Sequence, residues 1–345
     1  MSPNEIAGAP AARSTAAAAG RRAEPPARAA GRAERAVGAS AAERAADVGD
    51  AAATPHATPT VSGLAARLGW LDAGPLAERA RWLREDDNVT ALHARSAGRP
   101  ARLVGLTWID GYQGVLALPG AGIAEPAQLQ GRRLALPLRT ERDGDGGGAR
   151  PDVARAAASR GFHAATGLAC LFSDEYRLTD VEVDPGEPPY AAETAALLRG
   201  DVDAIYVAGA AGRAAAARIG AVAVVDLGAH LDPAVRVNAT TPGTITVDEQ
   251  LLRREPETVT ELLAALLRAG AWAERQAEAI ASAYGTRGIE QQFHVDLSAH
   301  KLGALSAQAG FLHRHGFLAD DVDVTAWVDP GPLAAARELV AGERG

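Results

Sequence analysis

The run Leu197-Leu198-Arg199-Gly200-Asp201-Val202-Asp203-Ala204-Ile205-Tyr206-Val207-Ala208-Gly209 reads as a helix end, a glycine stop and a strand. Residues 191–199 carry helix formers and Gly200 supplies a helix-ending signal, while residues 202–207 are rich in β-branched and aromatic side chains. The same step follows at once. A helix over 210–219 stops at Gly220, and Ala221-Val222-Ala223-Val224-Val225-Asp226-Leu227 is a second strand. Strands alternating with helices of this length indicate an α/β fold with largely parallel sheets.

Working outward, residues 102–106, 114–118 and 133–136 read as strands, with a short helix over 127–131. Ser62 is the expected cap of a helix carrying Leu64, Leu68 and Leu71, and residues 75–84 read as helix. Another helix opens at Val89-Leu92 and closes at Gly98. Residues 140–150 form a loop before a helix running to about Leu171, and 181–183, 235–238 and 244–247 read as short β-rich runs. From Pro256 the chain turns helical, with Val259, Leu262, Leu263, Leu266 and Leu267 on one face, then Leu302, Leu305, Ala309 and Leu312.

Composition excludes several classes. The 345 residues hold about 80 alanines, one cysteine, one methionine and a single lysine, Lys301. One cysteine forbids an internal disulfide framework and a cysteine-based zinc site. No stretch approaches the about 20 apolar residues of a membrane span. A net charge of −8 without a basic stripe argues against nucleic acid. Residues 1–60 have Ile6, Val37 and Val48 as their only large aliphatic side chains, so they read as a disordered, low-complexity tail. No signal peptide is visible there, and as written the chain reads as cytoplasmic.

Several phrases together carry a resemblance. The stretches 126–137 (PAQLQGRRLALP), 197–209, 221–228 (AVAVVDLG) and 254–280 resemble, in order and spacing, type II periplasmic-binding proteins of the sulfonate, nitrate and taurine transporter class. Residues 102–118 (RLVGLTWIDGYQGVLAL) and 200–212 (GDVDAIYVAGAAG) resemble most the desulfinases of 2'-hydroxybiphenyl-2-sulfinate and their relatives. The resemblance spans about 61–340 and implies a two-lobed fold with a helical C-terminal region. Residues 61–137 and 242–345 would form one lobe and 138–241 the other, with a small organic anion between them. Helix N-termini and backbone N–H groups suit such an anion. The implied function is a monomeric sulfonate-binding component partnered by an ABC permease, without metal or other cofactor.

The alternative is a desulfinase-like hydrolase of aryl sulfinates, or an inactive remnant or ligand sensor on the same scaffold. The resemblance then implies a nucleophilic cysteine, a histidine and an Arg-x-Gly-Gly-x-x-Pro-x-Leu segment. The cysteine position falls on His56, and the histidine stretch has no counterpart, since only about a dozen residues separate Asp72 from the arginine motif. That motif survives as residues 84–92, with Arg84 kept and the glycine pair replaced by Asp86-Asp87. Glycine amides would approach an oxyanion, whereas carboxylates repel it. The strand that such folds place before this loop has no counterpart in 44–60 either.

The candidate ligand-binding residues are therefore Arg84, Asn88, Trp108, Tyr112, Tyr206, Gly209, Arg213 and Asn238. Trp108 and Tyr112 follow one strand at its C-terminal end, Tyr206, Gly209 and Arg213 end another, and Asn238 sits where the chain crosses back. Cys170 reads as a buried structural thiol on a helix. His313 and His315, two apart, read as solvated or capping residues, and the glycines at 144–148 lack the Lys-Ser/Thr of a phosphate loop.

Overall fold

The computed structural model describes residues 59–71, 75–139, 151–184, 186–284 and 289–343. Thr60, not Ser62, caps the first helix, α1 (Val61–Arg67), its hydroxyl accepting from the Gly63 N–H at 3.1 Å. The expected helix over 75–84 divides into α2 (Pro75–Arg79), a 3-10 turn over Ala80–Trp82 and a strand, β1 (Leu83–Asp86). Local helix propensity loses there to strand pairing, because Leu83 to Asp86 find partners along a ladder.

The chain then runs α3 (Asn88–Ser96), β2 (Ala101–Thr107), β3 (Gln113–Ala117), a 3-10 turn (Pro126–Leu129), β4 (Arg133–Arg139), α4 (Val153–Leu168), β5 (Arg177–Val183) and α5 (Ala191–Arg199). It continues through β6 (Ile205–Ala208), α6 (Gly209–Ile219), β7 (Val222–Asp226), α7 (Pro233–Arg236) and β8 (Gly243–Asp248). The helical end comprises α8 (Glu249–Arg254), α9 (Pro256–Arg275), α10 (Ala277–Tyr284), a 3-10 turn (Glu290–Phe293), α11 (Ala299–Arg314), α12 (Val324–Trp327) and α13 (Gly331–Gly342). Residues 235–238, expected as a β-run, instead end α7 and turn toward β8.

Two sheets share one plan. In the first, β8 lies between β1 and β2 and is antiparallel to both. In the second, β3 lies between β6 and β7 and is antiparallel to both. Beyond β6 the second sheet continues through a parallel bridge, Leu134 to Ala204, to β4 and its parallel partner β5. Each antiparallel centre thus arrives from the opposite sheet, β3 after β2 and β8 after β7. This corrects the expectation of largely parallel sheets. By its pairing, the stretch 113–139, expected in the first lobe up to residue 137, belongs to the second sheet.

Alternation along the strands explains how the second sheet is covered on both faces. Val115, Leu134 and Tyr206 face Phe162 of α4, while Leu116, Ala135, Ile205 and Val207 face Leu197 of α5. The first sheet packs Ile245 and Val247 against α1, α9 and α13, through Leu64, Leu263, Leu266 and Leu333. On its other side Leu103 and Leu106 meet α3, α11 and α12, through Leu92, Leu312 and the fully buried Trp327. Trp327 also donates its indole N–H to the Ala101 carbonyl at 2.9 Å. No helix among the described residues is long and apolar enough to cross a membrane.

Cys170 departs from its expected place. The helix ends at Leu168, and the thiol is exposed on a residue with φ of 55°.

Candidate functional site

The segment between β2 and β3 is where the chain first leaves one sheet for the other, and it carries Trp108 and Tyr112. Here the backbone meets the return passage closely. A Cβ on Gly228 would lie 2.3 Å from the Gly111 carbonyl oxygen, so only glycine fits. Gly228 and Leu227 donate their N–H groups to the Gln113 carbonyl at 3.1 and 2.9 Å. The Thr241 hydroxyl donates to the Ile109 carbonyl.

Two aromatic–guanidinium pairs stand on this segment. The Arg236 guanidinium lies 5.9 Å from the Trp108 ring centre, and that of Arg213 lies 4.3 Å from the Tyr112 ring centre. The Trp108 indole N–H donates to Asp110 at 2.8 Å, and the same carboxylate pairs with Arg236 at 3.1 Å. The His300 ring sits 4.4 Å from that of Trp108. Arg236 keeps one buried nitrogen, Nε, without a partner. Gly209 opens α6 at φ 66° and donates its N–H to the Tyr112 carbonyl at 2.7 Å. Burial raises the Tyr112 phenol above its usual range, Asp226 raises it further, and Arg213 opposes both.

The other candidates do different work. Tyr206 is buried, and its hydroxyl donates to the Gln113 side-chain oxygen at 2.9 Å. Asn88 is fully buried and donates to the Asn238 and Pro242 carbonyls at 2.7 and 2.9 Å while accepting from Gln308 at 3.1 Å. The Asn238 side chain accepts from the Thr240 N–H at 2.8 Å and donates to the Arg236 carbonyl at 3.2 Å. Both asparagines therefore hold the return passage in place with their own hydrogen-bonding capacity used. Arg84 lies on β1 with its guanidinium on Asp86, at 2.8 and 3.2 Å. Asp87 caps α3, accepting from the Thr90 N–H and hydroxyl at 2.8 and 2.7 Å. His56 and the glycines at 144–148 lie outside the described residues.

The structure thus gathers Trp108, Tyr112, Gly209 and Arg213 at the first passage, and adds Asp110, Gln113, Arg236 and His300, which sequence reasoning missed. Gln113 had one legible signal, a polar residue opening an otherwise apolar strand. Its Nε2 donates to the Arg236 carbonyl at 2.7 Å, tying the two passages together. Arg236 and His300 had none, since their neighbours come from distant parts of the chain. A surface groove of about 370 Å³ beside Asp296, Leu333 and Arg337 is lined by none of the sequence-derived candidates.

No protein-family model matches the chain, and comparison with curated proteins finds no match. Solved structures do match. The desulfurization enzyme DszB superposes with a TM-score of 0.58 at 20% identity, over 83% of this chain and 97% of that one. A cysteine-to-serine mutant of it, in complex with biphenyl-2-sulfinic acid, gives 0.57 at 22% identity, over 83% and 97%. The putative sulfonate ABC transporter periplasmic sulfonate-binding protein SsuA from Methylobacillus flagellatus KT gives 0.57 at 12% identity, over 75% of each chain. The fold is the two-lobed type II periplasmic-binding-like fold.

Proposed function

We propose that this chain, built on a fold that serves both uptake receptors and a C–S-cleaving enzyme, binds a small organic anion of the sulfonate type. One observation carries the reading. Tyr112 with Arg213, and Trp108 with the Asp110-paired Arg236, set an apolar face beside a guanidinium twice within one passage between the sheets, Arg213 being the one without a carboxylate on it among the described residues. A sulfonate has that same division, an apolar body and a compact anionic head, and guanidinium forks bond oxyanions bidentately. In this reading the lobes divide at the two passages, the ligand lies between them, closure over it excludes water, and the monomer delivers its ligand to an ABC permease.

Isothermal titration of alkane- and arylsulfonates, sulfinates and nitrate tests it. Saturable binding to a sulfonate is expected, and Arg213→Gln should weaken it about 10-fold or more, the scale of one lost charged hydrogen bond. Absence of saturable binding to every compound in the series would remove the reading.

The alternative, hydrolysis of an aryl sulfinate, asks residues 84–92 to stabilise an oxyanion. Their carboxylates weigh against it: Asp86 occupies the Arg84 guanidinium and Asp87 is spent on a helix cap. Sulfite release from biphenyl-2-sulfinate, abolished by His56→Ala, would reverse this ranking.

A further inference from the structure

At the far end of α11 from His300 lies a second group of side chains that the proposed ligand site does not use. Arg160 and His163 come from α4, Phe311 and Arg314 from α11, and His315 from its C-cap. The His315 ring lies 4.3 Å from Phe311, and His163 lies 5.3 Å from Phe311 and 5.9 Å from His315. The Arg160 guanidinium stands 5.3 Å from the same phenyl ring. Two histidines and Arg160 thus gather around one apolar ring, and Arg314 at the end of α11 is close enough to act electrostatically on all three. The length of α11 separates them from Trp108 and His300 by about 20 Å at 1.5 Å per residue.

In a chain of net charge −8, these four side chains have no carboxylate ion-pair partner among the described residues. Arg160 has one direct bond, from Nη2 to the Ala234 carbonyl at 3.3 Å, and its buried Nε has no partner. The helix carbonyls that would favour cations are already taken, since His315, Gly316 and Phe317 donate their N–H groups to Phe311, His313 and Leu312. What the cluster lacks is negative charge.

We propose that Arg160, His163, Arg314 and His315 bind a small oxyanion of the sulfate or phosphate class, held between α4 and α11. Two guanidinium groups offer forked donors, and protonated imidazoles add one each. The charges acting on the cluster agree with a demand for negative charge. Partial burial lowers both of these exposed histidines below their usual value, and Arg160 and Arg314 lower each further, with His315 also lowering His163. Burial also lowers Arg160, Arg314 adds to that, and Tyr206 is the group that opposes. An anion would relieve this repulsion, so binding takes up protons and tightens as pH falls through the ordinary histidine range. Because α4 packs on the second sheet and α11 on the first, the bound ion would also brace one lobe against the other.

Sulfate, a dianion across the whole range, is the probe. Side-chain NMR of the full chain should show His163 and His315 shifting saturably with sulfate at constant ionic strength, and more tightly at pH 5.5 than at pH 8. Chloride should produce no such saturation. Both histidines should titrate at higher pH in the presence of sulfate. Arg314→Gln, on an exposed side chain, should weaken binding about 10-fold, the scale of one charge-assisted bond, and His315→Gln should remove most of its pH dependence. Equal responses to sulfate and chloride, or unchanged affinity in Arg314→Gln, would overturn the proposal. Arg213→Gln separates the two sites, since it acts on sulfonate binding and leaves the histidine response to sulfate in place.

Discussion

Tyr206 shows how a side chain can be placed in its element from the sequence while its hydrogen-bond partner stays out of sight. Its place within a strand was legible, because alternation in residues 202–207 fixes which side chains share a face. Its buried bond to Gln113 was not, since the two residues stand 93 positions apart. The ring also explains Gly161, where an added Cβ would come within 2.1 Å of a Tyr206 ring carbon. Gly161→Ala should therefore destabilise the protein. Overpacking costs about 1–3 kcal/mol and exceeds the ~1 kcal/mol that alanine gains over glycine within a helix, because the Tyr206 hydroxyl is anchored and the ring cannot retreat. A urea unfolding midpoint at or above that of the parent would show that the ring moves freely. Asn88 and Asn238 likewise direct their side-chain amides to backbone carbonyls of the return passage.

Elements were legible wherever the periodic pattern was long, as in α9, and illegible where a short segment takes its structure from a remote partner. β1 is the clearest instance: Leu83-Arg84-Glu85-Asp86 has no β-like composition and becomes a strand by pairing with β8. Glu85 then reaches back to α1, accepting from the Val61 and Ser62 N–H groups at 3.1 and 2.8 Å. Burial raises the Glu85 carboxyl above its ordinary value in spite of those bonds. A carboxyl raised on folding favours the native state at low pH, and this contribution fades as pH rises above the unfolded value toward the folded one. Glu85→Gln should accordingly flatten the pH dependence of stability in and just above the ordinary glutamate range, read from urea midpoints between pH 4 and 8. An unchanged slope would refute the assignment.

The single lysine links elements in the same long-range way. Lys301 of α11 is 8% exposed and pairs with Asp296 at 3.0 Å, near the Leu106 carbonyl at 3.5 Å. Burial disfavours both charges. On Asp296 the bonds from His294, the Ser298 N–H and Lys301 overcome it and hold the carboxyl far below its usual range, whereas on Lys301 burial prevails. Removing the carboxylate strands a buried ammonium, so Asp296→Asn should cost about 3–5 kcal/mol near neutral pH and Lys301→Met distinctly less. Because the Asp296 carboxyl is lowered on folding, its contribution is present above the ordinary aspartate range and is lost as pH falls through and below it. The difference between parent and Asp296→Asn should shrink toward pH 2. Equal cost for the two substitutions would contradict the burial argument.

At the scale of the whole molecule, the α/β class was legible because helix–strand alternation is local, whereas the two-lobed plan came only from the resemblance of several phrases to a known family. The exchange of central strands between the sheets was not legible, since nothing in Gln113–Ala117 names its partners. In the proposed reading the passages that result are the axis about which the two sheets close. If a sulfonate closes them, the radius of gyration measured by small-angle scattering should fall at saturating ligand and return on its removal. An unchanged radius with calorimetrically proven binding would mean that the lobes are already closed.

The exchanged strands also set an order of assembly on the ribosome. Everything in the second sheet, from Gln113 to Asp226, is one continuous stretch and can complete itself as soon as it emerges. β1 and β2 lack the strand they share until β8 appears, more than 150 residues after Asp86. At about 5–20 residues per second that is a wait of roughly eight to thirty seconds with two strand edges open. The half of the molecule that is synthesised first is therefore the half that finishes last.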